Sequence, residues 1–151
     1  METGYKLYLD DIRIPTDSVK NANRFGLDPR VYQSDDWVIV RNFEQFTFII
    51  MEKFKSGEWP YLISFDHDLG QEHTKFFFEN GGWDSPPDPL TGEFVEMTGY
   101  DAAKWLCDFI MEHNISVPGF LVHSANPVGR KNIESYLSNF TNYYERKTGR
   151  R

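Results

Sequence analysis

Three short apolar runs in this chain each end in a polar cluster, and that repeated pairing constrains the fold more than any other feature. Lys6-Leu7-Tyr8-Leu9 runs into Asp10-Asp11. Leu62-Ile63-Ser64-Phe65 runs into Asp66-His67-Asp68, and Phe120-Leu121-Val122 into His123-Ser124-Ala125-Asn126. Apolar runs of this length, bounded by polar residues, read as buried strands. In an open α/β sheet the carboxyl ends of parallel strands line the ligand crevice. Four carboxylates, two imidazoles and a hydroxyl would then meet at one sheet edge. Such a set suits a metal-assisted phosphate site.

The stretches between these runs supply the rest of the alternation. Residues 16–30 are polar, with Gly26 and Pro29, and read as a loop with a short helix. Trp37-Val38-Ile39-Val40 reads as a second strand. A helix is expected over about 43–55, where Phe43, Phe46, Ile50 and Phe54 fall on one face and Gly57 ends the run. The strand 61–65 that follows is nearly all apolar, as in a strand covered on both sides. Another helix is expected over about 99–114, with Ala103, Leu106, Cys107, Ile110 and Met111 on one stripe. Pro118-Gly119 turns into the fourth strand, 120–123. Asn126-Pro127 has the form of an N-cap followed by proline at the first helical position. The last helix carries Ile133, Tyr136, Leu137 and Phe140 on one face, and the basic tail 146–151 is expected to fray.

Alternation of this kind predicts a three-layer α/β domain of receiver or flavodoxin-like type, built on a parallel sheet. Right-handed crossovers place the first and third strands at its centre, in the order 2-1-3-4. The chain of 151 residues fits a single domain, 1–151. Residues 71–98 break the rhythm with Gly81-Gly82, Pro86-Pro87 and aromatic Phe76, Phe77, Phe78 and Trp83. An insertion of that length after a strand end is expected to act as a lid.

Composition excludes several classes. A net charge of −7 argues against a broad nucleic-acid surface. No apolar run reaches the ~18 residues of a membrane span, and residues 1–4 open no signal peptide. The expected location is the cytoplasm. Cys107 is the one cysteine, which rules out an internal disulfide; its place on an apolar helix stripe puts it in the core.

The strand-end acids point to a hard cation. Adjacent carboxylates repel unless a cation lies between them, and oxygen ligands with room for water suit Mg²⁺ or Mn²⁺. Asp10, Asp11, Asp66 and Asp68 are the expected metal ligands. His67 and His123 follow apolar strands and are expected to divide acid and base roles on a phosphodiester. Ser124, Asn126 and Arg130, at the start of the last helix, are expected to hold phosphate, because free N–H groups and the helix dipole favour an anion there. Arg13 would either reach a phosphate or neutralise Asp10 or Asp11. His73 and His113 are left out of the catalytic set: nothing fixes the first, and the second sits at a helix C-terminus, where a cation is favourable anyway.

Leu9-Asp10-Asp11, Phe65-Asp66 and Ser124-Ala125 resemble the phosphoacceptor site of response-regulator receiver domains. That likeness implies Asp10 and Asp11 as a metal pair, Asp66 as the central aspartate and Ser124 as the hydroxyl. The receiver's Lys-Pro is absent, which disfavours a signalling receiver with Asp66 as a covalent nucleophile. Leu7 to Pro15, Ser64 to Gly70, Gly99 to Ala103 and His123 to Gly129 resemble more closely the cyclic-phosphate-processing receiver-like domains, over about residues 7–137. These occur in phage and bacterial conflict settings. The resemblance implies a metal-dependent phosphoesterase with Asp66, His67 and His123 as catalytic residues. Its substrate would be a small anionic nucleotide or a cyclic-phosphate RNA end, met in the host cytoplasm if the chain is phage-encoded. The alternative is a non-catalytic degenerate receiver that binds a nucleotide or a protein partner.

Overall fold

The computed structural model describes residues 3–22, 28–69, 97–124 and 126–149. The expected lid lies outside these residues except for its last two, Met97 and Thr98. Four parallel strands form one sheet: β1 (Thr3–Leu9), β2 (Trp37–Val40), β3 (Glu58–Phe65) and β4 (Gly119–Val122). Their order is β2-β1-β3-β4, as the crossover rules predict. The register aligns their ends, because Leu9 pairs with both Val40 and Phe65, and Phe65 pairs with Val122. Each ladder continues one residue further, with the N–H groups of Asp10, Asp66 and His123 donating to Val40, Leu9 and Phe65 carbonyls. The residues after the strands are thereby brought side by side.

β3 begins at Glu58, three residues before the expected Tyr61. Its register against β1 shifts between Tyr5 and Lys6, which leaves Tyr61 as an extra residue. Pro60 cannot donate to a ladder, and a bulge is where a strand tolerates it.

Alternation along the strands divides the interior. Leu7, Leu9, Ile63, Phe65 and Val122 join the main core, with helices α2 (Phe43–Lys55), α3 (Gly99–His113) and α4 (Pro127–Thr148). Phe46 and Ile50 of α2, Leu106 and Ile110 of α3, and Ile133 and Leu137 of α4 are fully or almost fully buried there. Each such side chain contributes roughly 1.5–3 kcal/mol by leaving water. Cys107 is buried in the same core, whereas Met111, expected on that stripe, is exposed. Tyr8 and Trp37 belong to a second, smaller cluster with Ala22 and Tyr32. Among the described residues its cover is two 3-10 turns, Pro15–Ser18 and Pro29–Tyr32, and the single turn α1 (Val19–Ala22).

Capping fixes where the helices start. Asn42 accepts from the Gln45 N–H, Thr98 and Asp101 form a reciprocal capping box, and Asn126 accepts from the Gly129 N–H. α4 continues to Thr148 rather than fraying from Arg146. Buried Tyr144 anchors it by donating to the Ile115 carbonyl at 2.7 Å, and Arg146 and Lys147 suit the negative end of the dipole. Among the described residues no helix is long and apolar enough to cross a membrane.

Candidate metal and phosphate site

Asp10, Asp11 and Asp66 meet at the carboxyl edge of β1 and β3. One oxygen from each lies within 4.8 Å of the others. Asp10 is fully buried, Asp66 almost so, and Asp11 is partly exposed. Three carboxylates brought this close could hold a metal ion, and their hard oxygens suit a hard cation. Asp68, expected as a fourth ligand, is turned elsewhere: its Oδ1 accepts from His67 Nδ1 at 2.8 Å and from Asn126 Nδ2 at 3.3 Å.

The two buried acids titrate in opposite directions. Burial alone would raise Asp10, but a hydrogen bond from His123 and the backbone N–H groups of Arg13 and Ile12 outweigh it. The result lies well below the usual carboxylate range. Asp66 is pushed up to about 7, by burial first and then by the charge of Asp10. Arg13 opposes that rise, Asp11 adds to it, and a hydrogen bond from Ser124 lowers it again. Holding three acids here without a cation is therefore costly.

Arg13 supplies part of the missing charge. Its Nε lies 2.8 Å from Asp10 Oδ2, and one terminal nitrogen lies 3.3 Å from Asp66 Oδ2. The neutralising role foreseen for Arg13 is thus the one the structure places it in, with Asp66 as a second partner.

His123 does not face the crevice. β4 alternation puts it with Leu121, toward the smaller core, and 1% of it is exposed. Its ring stacks on Tyr8 at 4.3 Å between centroids. Nε2 lies 3.1 Å from Asp10 Oδ2 and Nδ1 lies 2.7 Å from Ser64 Oγ, which is 2.6 Å from the Tyr32 hydroxyl. Burial lowers the His123 pKa despite the neighbouring carboxylate, so the ring is neutral. Ionised Asp10 accepts only, so Nε2 carries the proton and Nδ1 accepts from Ser64. The chain of donors then runs Tyr32 to Ser64 to His123 to Asp10. Ser64 and Tyr32 were absent from the expected site; the one sequence signal was a serine within an otherwise apolar strand.

His67 is nearer to the surface, with 19% of its side chain exposed. A carboxylate accepts, so Nδ1–H donates to Asp68 and a neutral ring keeps its Nε2 lone pair. Two helix starts press on this corner. The Gly99 N–H donates to the His67 carbonyl at 2.9 Å. A Cβ on Gly99 would lie 1.8 Å from the Asp66 carbonyl oxygen, and one on Gly129 would lie 2.3 Å from His67 Cγ. Only glycine permits either approach.

Of the expected phosphate ligands, Arg13 and Ser124 both bond to Asp66, and Asn126 bonds to Ser124 and Asp68. Ser124 is buried, accepting from the Asn126 N–H at 3.1 Å and bonding to Asp66. Asn126 uses its side chain for the α4 cap and for Asp68. Arg130 is partly buried in the first turn of α4. His113 is structural, stacked on Phe109 at 4.0 Å between centroids.

No curated protein and no solved structure matches the chain. A family model does match, over residues 5–139, and its description is a cyclic-phosphate processing receiver domain. The match includes all three strand-end clusters and the start of α4 that caps them. The chain therefore belongs to the cyclic-phosphate processing receiver domain family.

Proposed function

We propose that this domain is a metal-dependent phosphoesterase that opens a cyclic phosphate or cleaves a small phosphodiester, on a nucleotide or at an RNA end. The observation that carries this reading is the convergence of Asp10, Asp11 and Asp66 within 4.8 Å at the edge of the sheet. When bound there, Mg²⁺ or Mn²⁺ would polarise phosphoryl oxygens and lower the pKa of water. His67 is the proton carrier: Asp68 fixes its tautomer, and Nε2 takes a proton from the attacking water or returns one to the leaving oxygen. Asp66 is a ligand and, with Ser124, sets the polarity beside the phosphoryl group. His123 acts through Asp10, holding that carboxylate ionised and in place, and is a positioning residue. Arg130 and the N-terminal end of α4 favour the ligand's negative charge.

A second reading is a binding module without turnover. It is favoured by Arg13, whose guanidinium lies against both Asp10 and Asp66. One screen separates the two. The protein is incubated with cyclic nucleotides and cyclic-phosphate-ended RNAs, with Mg²⁺, Mn²⁺ or chelator, and the products are identified. The enzyme reading expects a metal-dependent opened product and a rate lower by roughly 10²–10⁴ in His67→Ala. Recovery of every ligand unchanged would leave the binding module.

A further inference from the structure

Asp10 has no oxygen lone pair to spare. Its Oδ1 accepts the N–H groups of Ile12 at 3.1 Å and Arg13 at 2.9 Å. Its Oδ2 accepts Arg13 Nε at 2.8 Å and His123 Nε2 at 3.1 Å. A carboxylate offers about four acceptor sites, so a metal at Asp10 requires one donor to leave. The two backbone N–H groups belong to the turn that follows β1. His123 is held by Ser64 and the Tyr8 ring and is 1% exposed. Arg13 alone has a way out, because 27% of its side chain is exposed.

The Arg13 backbone is pinned on both sides. Its N–H is bound to Asp10, and its carbonyl accepts from the Arg41 guanidinium, which also donates to the Asp10 carbonyl. Only the arm beyond Cα is left to move. A guanidinium that leaves two carboxylates at the mouth of a phosphate site still needs an anion, and a phosphoryl group matches its fork.

We propose that Arg13 is a built-in counter-ion that gates the acidic site: it leaves Asp10 and Asp66 as a divalent cation enters, and then binds the phosphoryl group of the ligand. The inference rests on the metal reading above and adds an order to it. Cation and phosphate bind cooperatively, because each favours the released arm.

The test is Mn²⁺ binding, by calorimetry and by the EPR signal of free Mn²⁺, in wild type and Arg13→Gln, with and without inorganic phosphate. Without phosphate, Arg13→Gln should bind Mn²⁺ about tenfold more tightly, since the competing charge-assisted bonds are gone. Phosphate should tighten Mn²⁺ binding in wild type and do so much less in the variant. A second measurement needs no variant: the Arg13 Nε–H resonance of the wild type, bonded to Asp10 in chelator, should shift and exchange faster with solvent when Mg²⁺ is added. Equal or weaker Mn²⁺ binding by Arg13→Gln, or an unmoved Nε–H resonance at saturating Mg²⁺, overturns the gate and leaves the metal site standing. Absence of Mn²⁺ uptake by both proteins overturns the metal reading and the gate together.

Discussion

At the scale of single residues, Asp10 and Asp66 are the same side chain on neighbouring strands, and their surroundings separate them. Asp10 receives four hydrogen bonds and stays ionised, whereas Asp66 is driven up to about 7 by burial and by that same ionised neighbour. The raised value has a definite sign in stability. Below about pH 4 both folded and unfolded chains hold the Asp66 proton, and its stabilising effect is complete. As pH rises from there, the unfolded chain releases its proton while the folded one keeps it, so stability falls until about pH 7 and then levels off. A shift from 3.8 to about 7 bounds the loss at roughly 4 kcal/mol. Urea unfolding in chelator should show this decline in wild type and not in Asp66→Asn; parallel curves for the two proteins would rule it out. His123 carries a second residue-scale prediction. Alanine there opens a cavity beside Tyr8 and leaves Ser64 and Asp10 each short of a partner, so the cost should be roughly 3 kcal/mol or more. Denaturant midpoints check it, and a stability equal to wild type would return His123 to the crevice. The sequence placed His123 correctly at a strand end. Which way it faced lay in the alternation it shares with Leu121, and a strand end as such does not reveal that.

At the scale of elements, the site depends on two helix starts packed against one turn. α3 and α4 both begin on glycine contacts with the Asp66-His67 backbone and ring. Gly99→Ala puts a methyl 1.8 Å from the Asp66 carbonyl oxygen, and backbone cannot yield as a side chain can. The expected cost is roughly 3 kcal/mol or more, with a matching fall in the denaturant midpoint. Gly129→Ala meets a ring rather than backbone. It should cost less stability and instead displace His67, visible as a changed His67 ring resonance in a folded protein. If both variants match wild type in stability and spectrum, the close packing of this corner is wrong. Much at this scale was legible. Periodicity gave α2 and α3 to within a residue, and Asn126-Pro127 gave the start of α4. Its end was not, because Tyr144 is held by a carbonyl nearly thirty positions earlier, and local composition holds no trace of that bond. The Tyr61 bulge was hidden likewise, being a property of the β1 pairing.

At the scale of the molecule, strand order follows from chain handedness and was legible, and the aligned register turns that order into a site. Asp10 and Asp66 are 56 positions apart and meet only when β1 and β3 pair, so the acidic cluster exists only in the folded chain. A ligand that binds only the folded state raises stability by mass action, about 2.7 kcal/mol at one hundred times its dissociation constant. The same carboxylates oppose folding when no metal is present, in a chain that already carries a charge of −7. These two effects predict a crossover. In chelator at about pH 8, where Asp66 must ionise, Asp66→Asn should unfold at a higher temperature than wild type, because it removes a buried charge and keeps the shape. For a domain of this size each kcal/mol is worth roughly 2–4 °C. With saturating Mn²⁺ the wild type should gain and the variant should gain little, which narrows the difference or reverses it. Ionic strength is held constant, so that general screening by added salt does not imitate binding. Equal Mn²⁺ gains in the two proteins would show that Asp66 is not a ligand, however well placed it is beside Asp10 and Asp11.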